Sequence, residues 1–133
     1  MKEKELIDQA IAASKMAYAP YSKFYVGAAL QLENGEIIMG CNVENASYGL
    51  SNCAERTALF TAIASGHNKF TKLAVYVDRE AFTAPCGACR QVIHELAPGI
   101  EILLINNRRE IKRTSDQELL PLSFGSADLE NND

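Results

Sequence analysis

The sequence lacks any apolar run long enough to cross a membrane, which takes about 20 residues. No apolar stretch of signal-peptide length follows the charged start Met1-Lys-Glu-Lys-Glu. A cytoplasmic protein with no membrane partner is therefore expected. Excess positive charge is missing too: 13 Lys and Arg stand against 17 Asp and Glu, a formal net charge of −4. That balance argues against a nucleic-acid partner, because a phosphate backbone recruits basic surfaces. The basic cluster that does occur, Arg108, Arg109, Lys112 and Arg113, reads as a solvated turn and strand edge. Low-complexity tracts, internal repeats and linker-like stretches are also absent. The 133 residues are thus expected to form one domain, residues 1–133, with enough chain to bury a core. Histidine is scarce, with His67 after a helix-ending glycine and His94 within a helix pattern. In a reducing compartment the four cysteines are not expected to form a disulfide framework, so metal binding or catalysis is their better use.

The periodicities predict a helix over 3–17, with Leu6, Ala10, Ala13 and Ala17 on one face, ending before Pro20. Val26–Leu32 and Glu36–Asn42 flank Asn34-Gly35 and predict a hairpin, since both turn residues accept positive φ. Residues 42–52 are too polar and turn-rich for a regular element and read as an ordered loop. A helix over 54–65 has Ala58, Leu59, Ala62 and Ile63 on one stripe, with Gly66 as its cap. A buried strand follows at 73–77. A helix then starts at Gly87 with Ala88, Val92, Ile93 and Leu96 inward, stopped by Pro98-Gly99. Ile100–Ile105 reads as another buried strand, Asn106-Asn107 as a turn, and 116–120 as a short helix. Strands alternating with helices imply an α/β fold with helices on both faces of a mixed sheet, parallel in its second half.

Within this frame the informative residues are Cys53-Ala54-Glu55 and Pro85-Cys86-Gly87-Ala88-Cys89. Three thiolates can occupy three corners of a zinc tetrahedron and leave the fourth to water, the mark of a catalytic rather than a structural site. Glu55, two residues after the first ligand, supplies the carboxylate such a site needs to move protons. Cys53 immediately precedes one predicted helix, and Cys86 and Cys89 begin another. Helix starts favour the thiolate form. Zinc with three thiolates is formally −1 and so a weaker Lewis acid, and Arg56 is placed to donate to the sulfurs and offset that charge. Two other readings use the same cysteines: a structural four-cysteine zinc site that adds Cys41, and a redox Cys-x-x-Cys pair. Neither gives Glu55 a task.

The wider blocks are Tyr18-Ala-Pro-Tyr-Ser-Lys-Phe24, Val26-Gly-Ala-Ala-Leu30, Gly40-Cys-Asn-Val-Glu-Asn-Ala-Ser-Tyr48, Cys53-Ala-Glu-Arg-Thr-Ala-Leu59, Pro85-Cys-Gly-Ala-Cys-Arg-Gln91 and Leu119-Leu-Pro-Leu-Ser-Phe-Gly125. With these, the chain resembles the zinc-dependent cytidine deaminases, and cysteine at 53 is similar to their small homotetrameric class. The resemblance implies a three-layer α-β-α sandwich around a mixed, about five-stranded sheet, with one Zn²⁺ per chain on Cys53, Cys86 and Cys89. It implies hydroxide on the zinc attacking C4 of cytosine, with Glu55 carrying protons to N3 and then to the leaving amine. The implied substrate is a small nucleoside, cytidine or 2′-deoxycytidine, in pyrimidine salvage. Phe24, Asn42, Glu44, Tyr48, Ala54 and Phe124 are the implied substrate contacts. Ala54 serves the base O2 through its backbone N–H, and Asn42 and Glu44 serve the ribose. Tyr48 and Phe124 are implied to reach the pocket of a neighbouring subunit, making a homotetramer with composite sites. A relative acting on blasticidin S or a polynucleotide, and a zinc-stabilised interaction module, are the competing classes. Ser126 and Tyr25 depart from the family's pattern.

Overall fold

At the tip of the hairpin Gly35 takes φ +92°, joining β1 (Val26–Leu32) to β2 (Ile37–Cys41) in the antiparallel register that Asn34-Gly35 predicts. The computed structural model describes residues 2–129. Around this hairpin lie α1 (Lys2–Ser14), α2 (Ala54–Ala64), β3 (Phe70–Val77), α3 (Gly87–Leu96), β4 (Glu101–Ile105) and β5 (Ile111–Ser115). Two short helices, α4 (Asp116–Leu119) and α5 (Ser126–Leu129), complete the described chain. The five strands form one mixed sheet in the order β2-β1-β3-β4-β5. Among these strands, β3 and β4 alone pair in parallel, which the intervening α3 crossover requires.

The central strands carry apolar runs, over residues 26–30, 73–77 and 102–105, where both faces are covered. Alternate side chains serve opposite layers. Ala28, Leu30, Leu73, Val75, Ile102 and Leu104 pack with Ala58, Leu59 and Ala62 of α2 and Ile93 of α3. Ala29, Ala74, Leu103 and Ile105 pack with Leu6, Ile7 and Ala10 of α1. The result is a three-layer α-β-α sandwich, as expected. Two glycines set how closely the layers approach. A Cβ on Gly27 would lie 1.9 Å from the Ala10 carbonyl oxygen in α1. A Cβ on Gly40 would lie 2.5 Å from both the Ala54 oxygen and the Ala58 nitrogen in α2. Only hydrogen fits at either position.

Several local expectations shift. The first helix stops at Ser14 rather than 17, and the Ser14 hydroxyl turns back onto the Ile11 carbonyl at 2.6 Å. Ile63 is 42% exposed rather than inward, because each step past Ala62 rotates the side chain about 100° off the buried stripe. Ala88 is exposed for the same reason, since the buried line of α3 runs through Cys89 and Ile93. β5 is a full edge strand where the sequence suggested a turn and strand edge. Its Ile-Lys-Arg-Thr-Ser run has no buried face to produce apolar alternation. The 42–52 segment is tied down by backbone bridges from Val43 to Tyr18 and Asn52, and it contains one 3₁₀ turn, Tyr48–Leu50, where no regular element was expected. Among the described residues no helix is long and apolar enough to cross a membrane.

Candidate metal centre

The starts of α2 and α3 meet on the same side of the sheet, and each delivers cysteine. Cys53 occupies the N-cap of α2 with extended backbone geometry, and the Thr57 hydroxyl fixes its carbonyl at 3.1 Å. Cys86 occupies the N-cap of α3, where its sulfur accepts the Cys89 N–H at 3.4 Å. Arg90 braces that turn from below, donating through Nε to the Pro85 carbonyl at 2.8 Å. The consequence is convergence: the sulfurs of Cys53, Cys86 and Cys89 all lie within 4.8 Å of one another. Cys41 is outside this group, half-buried on β2.

The donor set can be tested against zinc by its spacing. Tetrahedral bonds of about 2.3 Å place two sulfurs roughly 3.8 Å apart. The Cys53 and Cys86 sulfurs are 3.7 Å apart. Three soft thiol donors within 4.8 Å of one another suit a zinc ion. The thiol chemistry agrees. Hydrogen bonding from Cys89, with help from the Arg56 guanidinium and Cys86, lowers the Cys53 pKa to about 5. Cys89 moves the opposite way, because it is the proton-bearing partner of Cys53 and is buried. Arg56 donates through Nη2 to the Cys53 sulfur at 3.3 Å, the charge-offsetting position the sequence suggested. The thiol contacts in turn raise its pKa further above the ordinary arginine value.

In front of the sulfurs is a cavity of about 450 Å³, a size suited to a small organic ligand. Its wall includes Cys53, Ala54, Glu55 and Cys86 together with Phe24, Asn42 and Glu44. Glu55 is 4% exposed, and burial raises its carboxyl pKa to about 7, with the neighbouring Cys53 charge acting in the same direction. A carboxyl so placed can hold or release a proton near neutrality, which general acid–base work requires.

The structure assigns two of the sequence-selected residues a scaffold contact as well. Asn42 accepts the Val26 N–H at 2.9 Å and donates to the Phe24 carbonyl at 2.7 Å, so it fixes the entry to β1. The Glu44 carboxylate accepts the N–H groups of Tyr21 and Ser22, both at 3.1 Å, and the Ser22 hydroxyl. These bonds hold its pKa below the ordinary glutamate value. Ser22 in turn accepts the Phe24 N–H at 3.0 Å. Ser22, Val77 and Thr83 line the cavity without having been singled out, since their types carry no chemical signature in sequence. Arg79 was also missed; its guanidinium lies 5.6 Å from the Phe24 ring centroid. Two expected residues stand apart. Tyr48 is 75% exposed, edge-on to Tyr21 at 6.2 Å, and Phe124 is 58% exposed beyond α3; neither lines the cavity.

Comparison with known proteins accords with this geometry. The family model described as the cytidine and deoxycytidylate deaminase zinc-binding region matches residues 1–104. A cytidine deaminase from Sporosarcina psychrophila is 48% identical, covering 97% of this chain and 96% of that protein. One from Halalkalibacterium halodurans is also 48% identical, covering 97% of this chain and 98% of that protein. The crystal structure of cytidine deaminase from Burkholderia pseudomallei superposes with a TM-score of 0.90 at 51% identity, covering 93% of this chain and all of that one. With the fold, the sulfur cluster and these likenesses together, the chain belongs to the zinc-binding cytidine and deoxycytidylate deaminase family.

Proposed function

We propose that this chain, as one catalytic domain, hydrolyses cytidine and 2′-deoxycytidine to uridine and 2′-deoxyuridine with release of ammonia, in cytoplasmic pyrimidine salvage. The observation that carries this reading is a buried carboxyl of raised pKa beside three convergent sulfurs at the wall of a nucleoside-sized cavity. Cys53, Cys86 and Cys89 would hold the zinc, with Arg56 donating to Cys53 to offset the thiolate charge. Zinc so held supplies a Lewis acid that makes a water more acidic.

The other steps belong to the protein. Glu55 accepts a proton from the attacking water and delivers it to N3 of the pyrimidine, then takes the proton of the new C4 hydroxyl and delivers it to the departing amine. Low exposure keeps bulk water from competing for that proton. Ala54, in the first turn of α2, offers its N–H to the base O2. Phe24 packs on the ring and sugar. Asn42 can both donate to and accept from a ribose hydroxyl, whereas Glu44 can only accept, so the sugar must present a donor there. Tyr48 and Phe124, exposed on this chain, are read as contributions to the pocket of a neighbouring copy in a homotetramer.

Ammonia release from cytidine, 2′-deoxycytidine, blasticidin S and single-stranded DNA tests the reading on one preparation. The expected result is rapid turnover of both nucleosides and none of the polynucleotide. Rapid DNA deamination with inert cytidine would refute it.

A further inference from the structure

One polar cluster outside the cavity has no place in the chemistry above. His94, on the face of α3 turned toward the C-terminal segment, bonds at both ring nitrogens. Its Nδ1 lies 3.1 Å from Asp116 Oδ2 at the start of α4, and its Nε2 lies 2.9 Å from the Ser123 hydroxyl. Asp116 is 2% exposed and also accepts the Gly99 N–H at 3.1 Å. An ionised carboxylate can only accept, so it assigns the proton to Nδ1 and leaves Nε2 to accept from Ser123. Beside His94 on the same helix, Gln91 donates to the Phe124 carbonyl at 2.8 Å and Arg90 to the Leu119 carbonyl at 3.0 Å. Gly125 is pressed against the imidazole, and a Cβ there would lie 3.0 Å from Nε2.

Ser123, His94 and Asp116 stand in the order of nucleophile, base and acid. The order alone does not make a hydrolytic site. Gly125 covers the imidazole where a substrate would approach, and its N–H is already donated to Asp128 at 2.8 Å rather than free to stabilise an oxyanion. What the three residues do is join α3, α4 and the segment bearing Phe124.

We propose that His94 is a positioning residue for Phe124, acting through Ser123 to set how that aromatic is presented. The inference rests on the reading of Phe124 as a residue that meets substrate in a neighbouring copy. α3 therefore has two tasks at different points along its length. Its first turn supplies Cys86 and Cys89, and its polar face, through Gln91 and His94, grips the Phe124 carbonyl and the Ser123 hydroxyl before it. Asp116 is the buried anchor that keeps the imidazole from rotating.

The test is a steady-state cycle on the intact zinc-loaded protein with cytidine. Phe124→Ala should raise KM, and an unchanged KM there would sink the Phe124 reading rather than the grip. His94→Ala and Ser123→Ala should each raise KM by roughly three- to tenfold, the range one hydrogen bond supplies, with kcat held within about twofold. Added to Phe124→Ala, His94→Ala should raise KM no further. The two amides separate the ring nitrogens. His94→Gln reaches the Nε2 position and should restore KM, whereas His94→Asn reaches only the Nδ1 position and should not. Independent losses in the Phe124→Ala background, or equal KM for the Gln and Asn variants, would overturn the proposal.

Discussion

The two faces of the sheet share one apolar alternation but treat polar groups in opposite ways. On the α1 face, charges close on one another. Glu3 accepts from Arg113 at 2.5 Å and Lys72 at 2.9 Å, Arg113 also reaches Glu101 at 3.1 Å, and Asp8 pairs with Arg109. On the α2 and α3 face, the polar groups at the two helix starts gather beside a cavity. Glu55 is buried with a raised pKa, three sulfurs converge, and the buried Nε of Arg56 has no hydrogen-bond partner among the described residues. A face whose polar groups are satisfied within the chain is scaffold. A helix-start cluster of buried acid, thiols and guanidinium beside a cavity is suited to binding a ligand.

The largest effect expected from this contrast is loss of the metal. Cys86→Ala should abolish both bound zinc and turnover, whereas Cys41→Ser should keep both, as read by zinc content and ammonia release. Zinc lost on replacing Cys41 would move the site toward β2 and away from the helix starts. Next, Arg56→Ala should weaken zinc binding by about 10- to 100-fold, the usual range for a group that orients a ligand. Competition with a chelator measures it, and an unchanged affinity would deny Arg56 its part.

The glycines at the two helix contacts make a matched pair. Gly27→Ala and Gly40→Ala should each cost about 1–3 kcal/mol of stability by overpacking, read from urea unfolding midpoints. Only Gly40→Ala pushes on Ala54 and Ala58, so it alone should also lower kcat/KM of the folded protein. Equal activity losses would erase the distinction between the faces.

The smallest effect is electrostatic. Hydrogen bonds from Arg113 and Lys72 lower the Glu3 pKa from 4.5 to about 2. A depressed folded pKa stabilises above the unfolded value, and that stability fades as pH falls from about 4.5 toward 2. Glu3 is partly exposed and screened, so its worth is below about 1 kcal/mol. The melting-point gap between wild type and Glu3→Gln should narrow between pH 6 and pH 3 while turnover at neutral pH stays the same. A constant gap would show that the ion pairs contribute nothing.

Legibility in the sequence followed the same division. Asn34-Gly35 announced the hairpin because backbone φ is encoded locally. The apolar runs of β3 and β4 announced strands covered on both faces. The cysteines and Glu55 were legible because thiol spacing at two helix starts constrains a metal whatever the surrounding fold. β5 was only half visible, because an edge strand with exposed Lys112 and Arg113 needs no apolar period. Ile63 and Ala88 were misplaced because one residue of helix rotation separates core from solvent. The second bonds of Asn42 and Glu44, and the His94 cluster, were hidden for another reason. Their partners, Phe24, Ser22, Asp116 and Ser123, are brought together only by the tertiary fold.

The central claim is that Glu55 moves protons for a zinc site it does not itself ligate. Zinc per chain and cytidine turnover, measured on the same samples of wild type and Glu55→Gln, test it most directly. The account predicts one zinc per chain in both proteins, with turnover reduced by about 10²–10⁴-fold or more in the variant. A Glu55→Gln protein that keeps its zinc and turns over cytidine at the wild-type rate would contradict it.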